Sequence, residues 1–159
     1  MKHFAIYSLL VLMLVLAGCP LLTKNSIDNG SADVPSWLYG KWAEQSKDGK
    51  AKNIYILQKG DKKGTIKCYE AGADGKADYK KLTPVIMSNV SGKTYFSVYT
   101  SADDMTEEGY YLYEFRKVSN TEFVLAGLKE HEIDYDATQK EILLFLSLIH
   151  ISEPTRPER

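Results

Sequence analysis

Between residues 37 and 128 the sequence is divided into short segments that are rich in β-branched and aromatic residues. Glycine, aspartate and asparagine separate these segments, and such residues favour turns. Apolar residues do not recur here at helical spacing over the length that a crossover helix needs. We therefore predict an all-β domain built as an antiparallel meander. The predicted strands are residues 37–45, 53–58, 65–70, 82–89, 94–100, 110–118 and 122–128.

The meander would leave unpaired edges unless it closes on itself. We therefore expect a small barrel, and an open antiparallel sheet or another small β domain is the alternative. After residue 128 the pattern changes, because Asp134 and Asp136 precede the apolar run Ile142-Leu143-Leu144. Aspartates ahead of an apolar run are typical of a helix start, so we predict a short helix over residues 136–145.

The N-terminus begins with Lys2 and His3, followed by an apolar run over residues 4–17. The run is short for a membrane-spanning helix and typical of a signal-peptide core. It ends in Leu16-Ala17-Gly18-Cys19, which closely resembles the lipobox of bacterial lipoproteins. The resemblance implies that residues 1–18 are a signal peptide and that Cys19 is lipidated, since two or more acyl chains anchor a protein stably. An ordinary secretory signal or an uncleaved anchor is the alternative.

The same resemblance implies a location in the bacterial cell envelope, with the membrane as a partner through Cys19. Pro20 stands where an aspartate would retain an enterobacterial lipoprotein at the inner membrane, so we expect the outer membrane. Residues 19–35 are mostly small and polar. Such a composition buries little apolar surface, and we expect a flexible tether there.

The C-terminal segment over residues 146–156 resembles the translation of a transposon-end adapter used in short-read sequencing libraries. This resemblance implies that residues 146–159 are a non-native tail and that the natural sequence diverges near Phe145. Segments of this kind are excluded from fold reasoning. We therefore assign the β domain to residues 36–145 and expect the tail to contact it little.

The start of the domain contains Gly40-Lys41-Trp42. A Gly-x-Trp followed by a meander resembles the first strand of lipocalin-like (calycin) barrels. The resemblance implies that the glycine lets the chain bend and that the indole fills the closed end of the barrel. The alternative is that Trp42 is a core aromatic in a different small β domain.

Several large apolar side chains alternate along the predicted strands and share one face. Such a face can line a cavity for an apolar ligand, with tyrosine hydroxyls orienting it. It can equally fill a small barrel. The residues concerned are Trp42, Phe96, Val98, Tyr111, Tyr113 and Phe115.

The sequence offers little for catalysis or metal binding. His131 is the only histidine left in the domain once the signal and the tail are set aside, so we expect no metal site and no cofactor. Cys68 alternates with Ile66 on a predicted strand, which favours a buried, inert thiol. The acidic cluster of Asp103, Asp104, Glu107 and Glu108 lacks calcium-loop spacing and is expected to be solvated.

The formal net charge is −1, which gives no reason to expect nucleic-acid binding. We therefore predict a lipid-anchored envelope protein that is not an enzyme and that holds a small apolar ligand or an envelope partner. The alternative is a surface-acting inhibitor or structural lipoprotein with a filled core.

Overall fold

A computed structural model describes residues 10–15, 21–45, 51–72, 74–101, 108–128 and 133–152. Most of this chain is β-strand, which confirms the all-β prediction. The elements are β1 Leu10–Val15, β2 Leu21–Thr23, β3 Gly40–Gln45, β4 Ala51–Lys59, β5 Thr65–Ala71, β6 Ala77–Val90, β7 Lys93–Thr100, β8 Gly109–Lys117, β9 Glu122–Gly127 and helix α1 Gln139–Ser152, with a 3₁₀ turn at Ser36–Leu38.

Strands β3 to β9 form an antiparallel meander in which each strand pairs with the next. All of the strands predicted from the turn pattern are therefore present. The first begins later than predicted, because Ser36–Leu38 forms the turn and Gly40 has a φ of 135° that favours glycine. Strand β6 begins at Ala77 rather than at residue 82.

The two ends of the meander, β3 and β9, are joined through β1. This strand runs parallel to both, with Leu10 opposite Trp42 and Val11 opposite Glu122. Within the described residues β3 and β9 do not pair with each other. The meander itself is therefore not closed into the expected barrel. Strand β1 lies in the apolar run predicted to be the signal peptide, and the lipobox lies outside the described residues.

The meander has two apolar cores, one on each face. The inner core lies on the face that carries Trp42, and the outer core lies under α1 and the N-terminal segment. The inner core includes Leu38, Trp42, Leu57, Ile66, Val85, Met87, Phe96, Phe115, Phe123 and Leu125. The outer core includes Leu21, Ile27, Val90, Tyr95, Leu112, Ala137, Ile142 and Leu146. Strand β7 is thus buried on both faces, with Tyr95 in the outer core and Phe96 in the inner core.

The expected flexible tether is wrong for residues 21–35, which are packed against the sheet. Strand β2 pairs with β8, and Ile27 is fully buried. The backbone N–H of Ile27 donates to Ser97 Oγ at 3.1 Å. The Asp28 carboxylate accepts hydrogen bonds from Ser88 Oγ at 2.6 Å and from the backbone N–H of Gly30 at 2.7 Å. The contacts with β8, Ser97 and Ser88 are long-range, and they order a segment whose composition alone predicts disorder.

Helix α1 begins three residues later than the predicted helix and extends to Ser152. Thr138 and Glu141 form a capping box: the Thr138 N–H donates to Glu141 Oε2 at 2.8 Å, and the Glu141 N–H donates to Thr138 Oγ1 at 3.3 Å. Leu146 is fully buried beside Ile142, because residues four apart share one helix face. The expectation that the segment after Phe145 makes few contacts is therefore wrong at Leu146. Among the described residues, no helix has the length and hydropathy needed to cross a bilayer.

Candidate functional site

The inner face of the meander lines a partly open, apolar pocket of about 270 Å³. Every strand from β3 to β9 contributes at least one lining side chain. The lining residues are Trp42, Tyr55, Leu57, Cys68, Glu70, Thr83, Val85, Phe96, Val98, Tyr113, Phe123 and Leu125.

The pocket follows from the two-residue period of β-strands. Most lining residues occur in pairs separated by one residue, such as Phe96 and Val98 on β7 or Phe123 and Leu125 on β9. Successive side chains on a strand point to opposite faces, so each such pair lies on the inner face. The antiparallel register places Phe96 opposite Tyr113 and Val98 opposite Val85, which brings the pairs into one wall.

One end of the pocket is filled by aromatic rings. The Trp42 and Phe123 rings meet edge to face with centroids 4.4 Å apart, and Phe115 stacks on Phe96 at 4.9 Å. Trp37 packs against Trp42 at 6.1 Å. Lys117 Nζ lies 4.7 Å from the Trp37 ring centroid, on the outside of this cluster. The cluster therefore closes the inner core at the end near the Ser36–Leu38 turn.

The carboxylates at the pocket lie on β3 and β5, with Tyr55 of β4 between them. Tyr55 and Glu70 are cross-strand partners, and both line the pocket. Glu44 is 8% exposed, and its Oε2 accepts a hydrogen bond from Asn53 Nδ2 at 2.7 Å and lies 3.5 Å from the Tyr55 hydroxyl. Lys81 Nζ is 2.6 Å from Glu70 Oε2 in a partly exposed ion pair. The Glu70 carboxylate thus lines the pocket, and the Glu44 carboxylate lies beside the lining residue Tyr55.

The ionisable hydroxyls and the thiol of the pocket are neutral at neutral pH. Burial raises the pKa of Tyr55 to about 12, and the negative charge of Glu44 adds to the effect. Burial likewise raises the pKa of Tyr113 to about 12. Burial, with a contribution from Glu70, raises the pKa of the Cys68 thiol to about 12. Because the thiolate is the reactive form, Cys68 is unsuited to nucleophilic chemistry in this setting.

The structure places the sequence-predicted residues in three positions. Trp42, Phe96, Val98 and Tyr113 line the pocket. Phe115 packs in the aromatic cluster at the closed end. Tyr111 is half-buried on β8 but does not belong to the pocket lining.

Sequence reasoning missed most of the β4, β5 and β9 wall. Tyr55 and Leu57 alternate on β4, and Cys68 and Glu70 alternate on β5. The two-residue period was available as a signal in both strands. Glu70 breaks the apolar pattern, however, and only the long-range register shows that it shares a face with Tyr55.

The other candidates from the sequence contribute no site. Asp103, Asp104, Glu107 and His131 lie outside the described residues. Glu108 accepts a hydrogen bond from the Tyr99 hydroxyl at the surface. Within the part of the chain that the structure describes, no group of three or more histidine, cysteine, aspartate or glutamate side chains is placed to hold a metal ion.

The pocket thus has apolar walls and a few polar groups, and its lining thiol and tyrosine hydroxyls are in their neutral forms. Comparison with known proteins gives no further assignment: no protein-family model, no curated protein and no solved structure matches this chain.

Proposed function

We propose that this protein is a lipid-anchored envelope protein that binds a small, mainly apolar ligand in the pocket of its β domain, without catalysis. The observation on which the proposal rests is the cavity of about 270 Å³ that seven strands line from one face. A filled core would favour the alternative, a protein that acts through its surface alone.

The size of the cavity limits the ligand. Pockets for drug-sized ligands typically measure about 300–1,000 Å³, and an engineered cavity of about 150 Å³ holds benzene. A volume of about 270 Å³ therefore suits a ligand with one ring and a short chain. Burial of its apolar surface would provide most of the affinity, at about 25 cal/mol per Å².

Filling the pocket tests this proposal. Val98 lines the pocket, whereas Val118 is 58% exposed and lies outside it. Val98→Phe should weaken binding of the neutral probe phenylpropanol about tenfold or more, because the added ring occupies the ligand volume. Val118→Phe makes the same chemical change at the surface and should leave binding unchanged. Isothermal titration calorimetry measures both, and equal affinities in the two variants would contradict the proposal.

Two features support the anchor part of the proposal: the lipobox sequence and the small number of residues between Cys19 and the first residue bound to the sheet. Cys19 precedes Leu21 by two residues, and Leu21 donates its backbone N–H to the Leu128 carbonyl at 2.8 Å. At about 3.6 Å per residue, the acyl chains would start within about 7 Å of the sheet. The domain would then sit at the bilayer surface, which we place at the outer membrane.

Replacing the predicted lipidation site tests the anchor. Cys19→Ser should leave the precursor uncleaved and move the protein out of the detergent phase in phase partitioning. A Cys68→Ser variant is the matched control, because it removes the other thiol of the chain and should still be processed. Normal processing of Cys19→Ser would contradict the anchor.

The proposal also includes a barrel as the architecture of the mature domain. If cleavage precedes Cys19, β1 is removed with the signal peptide, and β3 and β9 become free to pair with each other. Both run parallel to β1, so they would form a parallel pair. The shared pocket lined by all seven strands of the meander supports this closed arrangement.

A further inference from the structure

We propose that the pocket selects a cationic amphiphile, an amine attached to a ring or a short alkyl chain, over an anionic one of the same size. This inference rests on the proposed binding function and adds to it the charge of the ligand. It follows from the charges around the pocket and from the composition of its wall.

Two carboxylates among the described residues lie at or beside the cavity. Glu70 lines the pocket directly. Glu44 is almost fully buried and lies 3.5 Å from the hydroxyl of the lining residue Tyr55. A charge at such a depth is poorly screened by water, so its field extends into the cavity.

In the portion of the chain that the structure covers, the lining residues include no lysine, arginine or histidine. Lys81 pairs with Glu70 at 2.6 Å, and both side chains are partly exposed, 61% for Lys81 and 46% for Glu70, so solvent and salt screen both charges. An anionic head group in the pocket would meet the Glu70 carboxylate and no cationic side chain among the described lining residues.

The aromatic rings of the wall also favour a cationic ligand. Trp42, Tyr55, Phe96, Tyr113 and Phe123 all line the cavity. The face of an aromatic ring attracts a cation, and the attraction increases when the cation is desolvated. The raised pKa values of Tyr55 and Tyr113 agree with this picture, since Glu44 contributes to both. A protonated amine could interact with these rings and donate hydrogen bonds to carboxylate oxygens.

Three probes of nearly equal size test the inference: phenylpropylammonium, phenylpropanol and phenylpropanoate. They are titrated calorimetrically into the processed, detergent-solubilised protein, with protein-free micelles as the blank. We expect the cation to bind about tenfold or more tightly than the anion, with the alcohol between them, since hydrogen bonds to charged groups are the stronger ones.

Two variants locate the origin of the preference. Glu70→Gln and Glu44→Gln should each reduce the cation-to-anion ratio about threefold or more. Glu122→Gln is the control, because it removes the same charge from β9 at a residue outside the pocket lining. If Glu44→Gln does not fold, Glu70→Gln alone decides the point.

The outcomes separate the two proposals. Equal or tighter binding of phenylpropanoate, or a ratio that neither glutamine variant changes, overturns the charge preference while the pocket function stands. Failure of all three probes to bind overturns the pocket function and this inference with it.

Discussion

The indole of Trp42 meets the ring of Phe123 edge to face, with centroids 4.4 Å apart. Trp42 belongs to β3 and Phe123 to β9, so the contact joins the two ends of the meander on its inner face. The Trp42 Nε1–H also donates to the Leu38 carbonyl at 2.8 Å, which satisfies the only polar atom of a side chain that is completely buried. Trp42 thus holds together the first strand, the turn before it and the last strand.

Trp42→Ala should therefore lower the free energy of unfolding by about 3–5 kcal/mol, because it removes a large buried side chain and leaves a cavity. Tyr79→Ala is the control, since that ring is 71% exposed and should cost little. Urea unfolding followed by circular dichroism measures both. A loss below about 1 kcal/mol for Trp42→Ala would contradict the role of the indole in the core.

The burial of Trp42 and the strands of the meander were accessible from the sequence, because both depend on local signals. Alternation along β7 predicted that Phe96 and Val98 share a face, and the structure places both in one pocket. The turn residues between strands indicated the boundaries of β7 and β8 to within one residue at most positions. Local patterns succeed in β7 and β8 because these strands are short and are bounded by turn residues.

The outer core could not be predicted in the same way. Ile27 is surrounded by polar residues in sequence, and its burial depends on partners such as Ser97 that lie 70 positions away. Tyr95 and Leu112 lie on the face that alternation assigns to solvent, and they are buried only because α1 and the N-terminal segment cover them. Long-range packing of this kind leaves no periodic signal in the segments that it orders.

The helix provides a direct comparison between a buried and an exposed leucine two residues apart. Leu146 is fully buried in the outer core, whereas Leu148 is 54% exposed. Leu146→Ala should lower the free energy of unfolding by about 2–5 kcal/mol, and Leu148→Ala by only a few tenths. Thermal or urea unfolding of the two variants measures the difference. Equal stabilities would show that the segment after Phe145 does not pack as the structure has it.

Alkaline pH should destabilise the domain through the buried tyrosines. Tyr55 and Tyr113 have pKa values raised to about 12 in the folded state, against about 10 when unfolded. A raised folded-state pKa stabilises the protein below the unfolded value, so this stabilisation is lost as the pH rises from about 10 to 12. The raised pKa of Cys68 also stabilises the folded state, and this stabilisation is likewise lost as the pH rises, from about pH 9 upward.

The test of this pH dependence compares urea midpoints over that range in the parent and in a Tyr55→Phe, Tyr113→Phe double variant. The double variant should lose less stability above about pH 10, because it lacks the two hydroxyls that ionise more easily when unfolded. Tyr79→Phe, at an exposed position, serves as the control. The same decline in the double variant as in the parent would show that these two tyrosines do not control the alkaline transition.

If the chain is cleaved before Cys19 as we propose, the pairing at the seam between β3 and β9 should change. Strand β1 lies in this seam, and adjacent strands lie about 4.8 Å apart, so its removal would leave a gap of about two strand spacings. Two unpaired parallel edges favour aggregation, and the contact between Trp42 and Phe123 already bridges the gap. We therefore expect β3 and β9 to approach and pair directly in the processed protein.

Hydrogen exchange of the amides in Trp42–Gln45 and Phe123–Ala126, compared between the processed protein and the uncleaved Cys19→Ser precursor, measures this pairing. Similar protection in both forms is the expected result, and rapid exchange confined to these two strands after processing would mean that the mature sheet stays open.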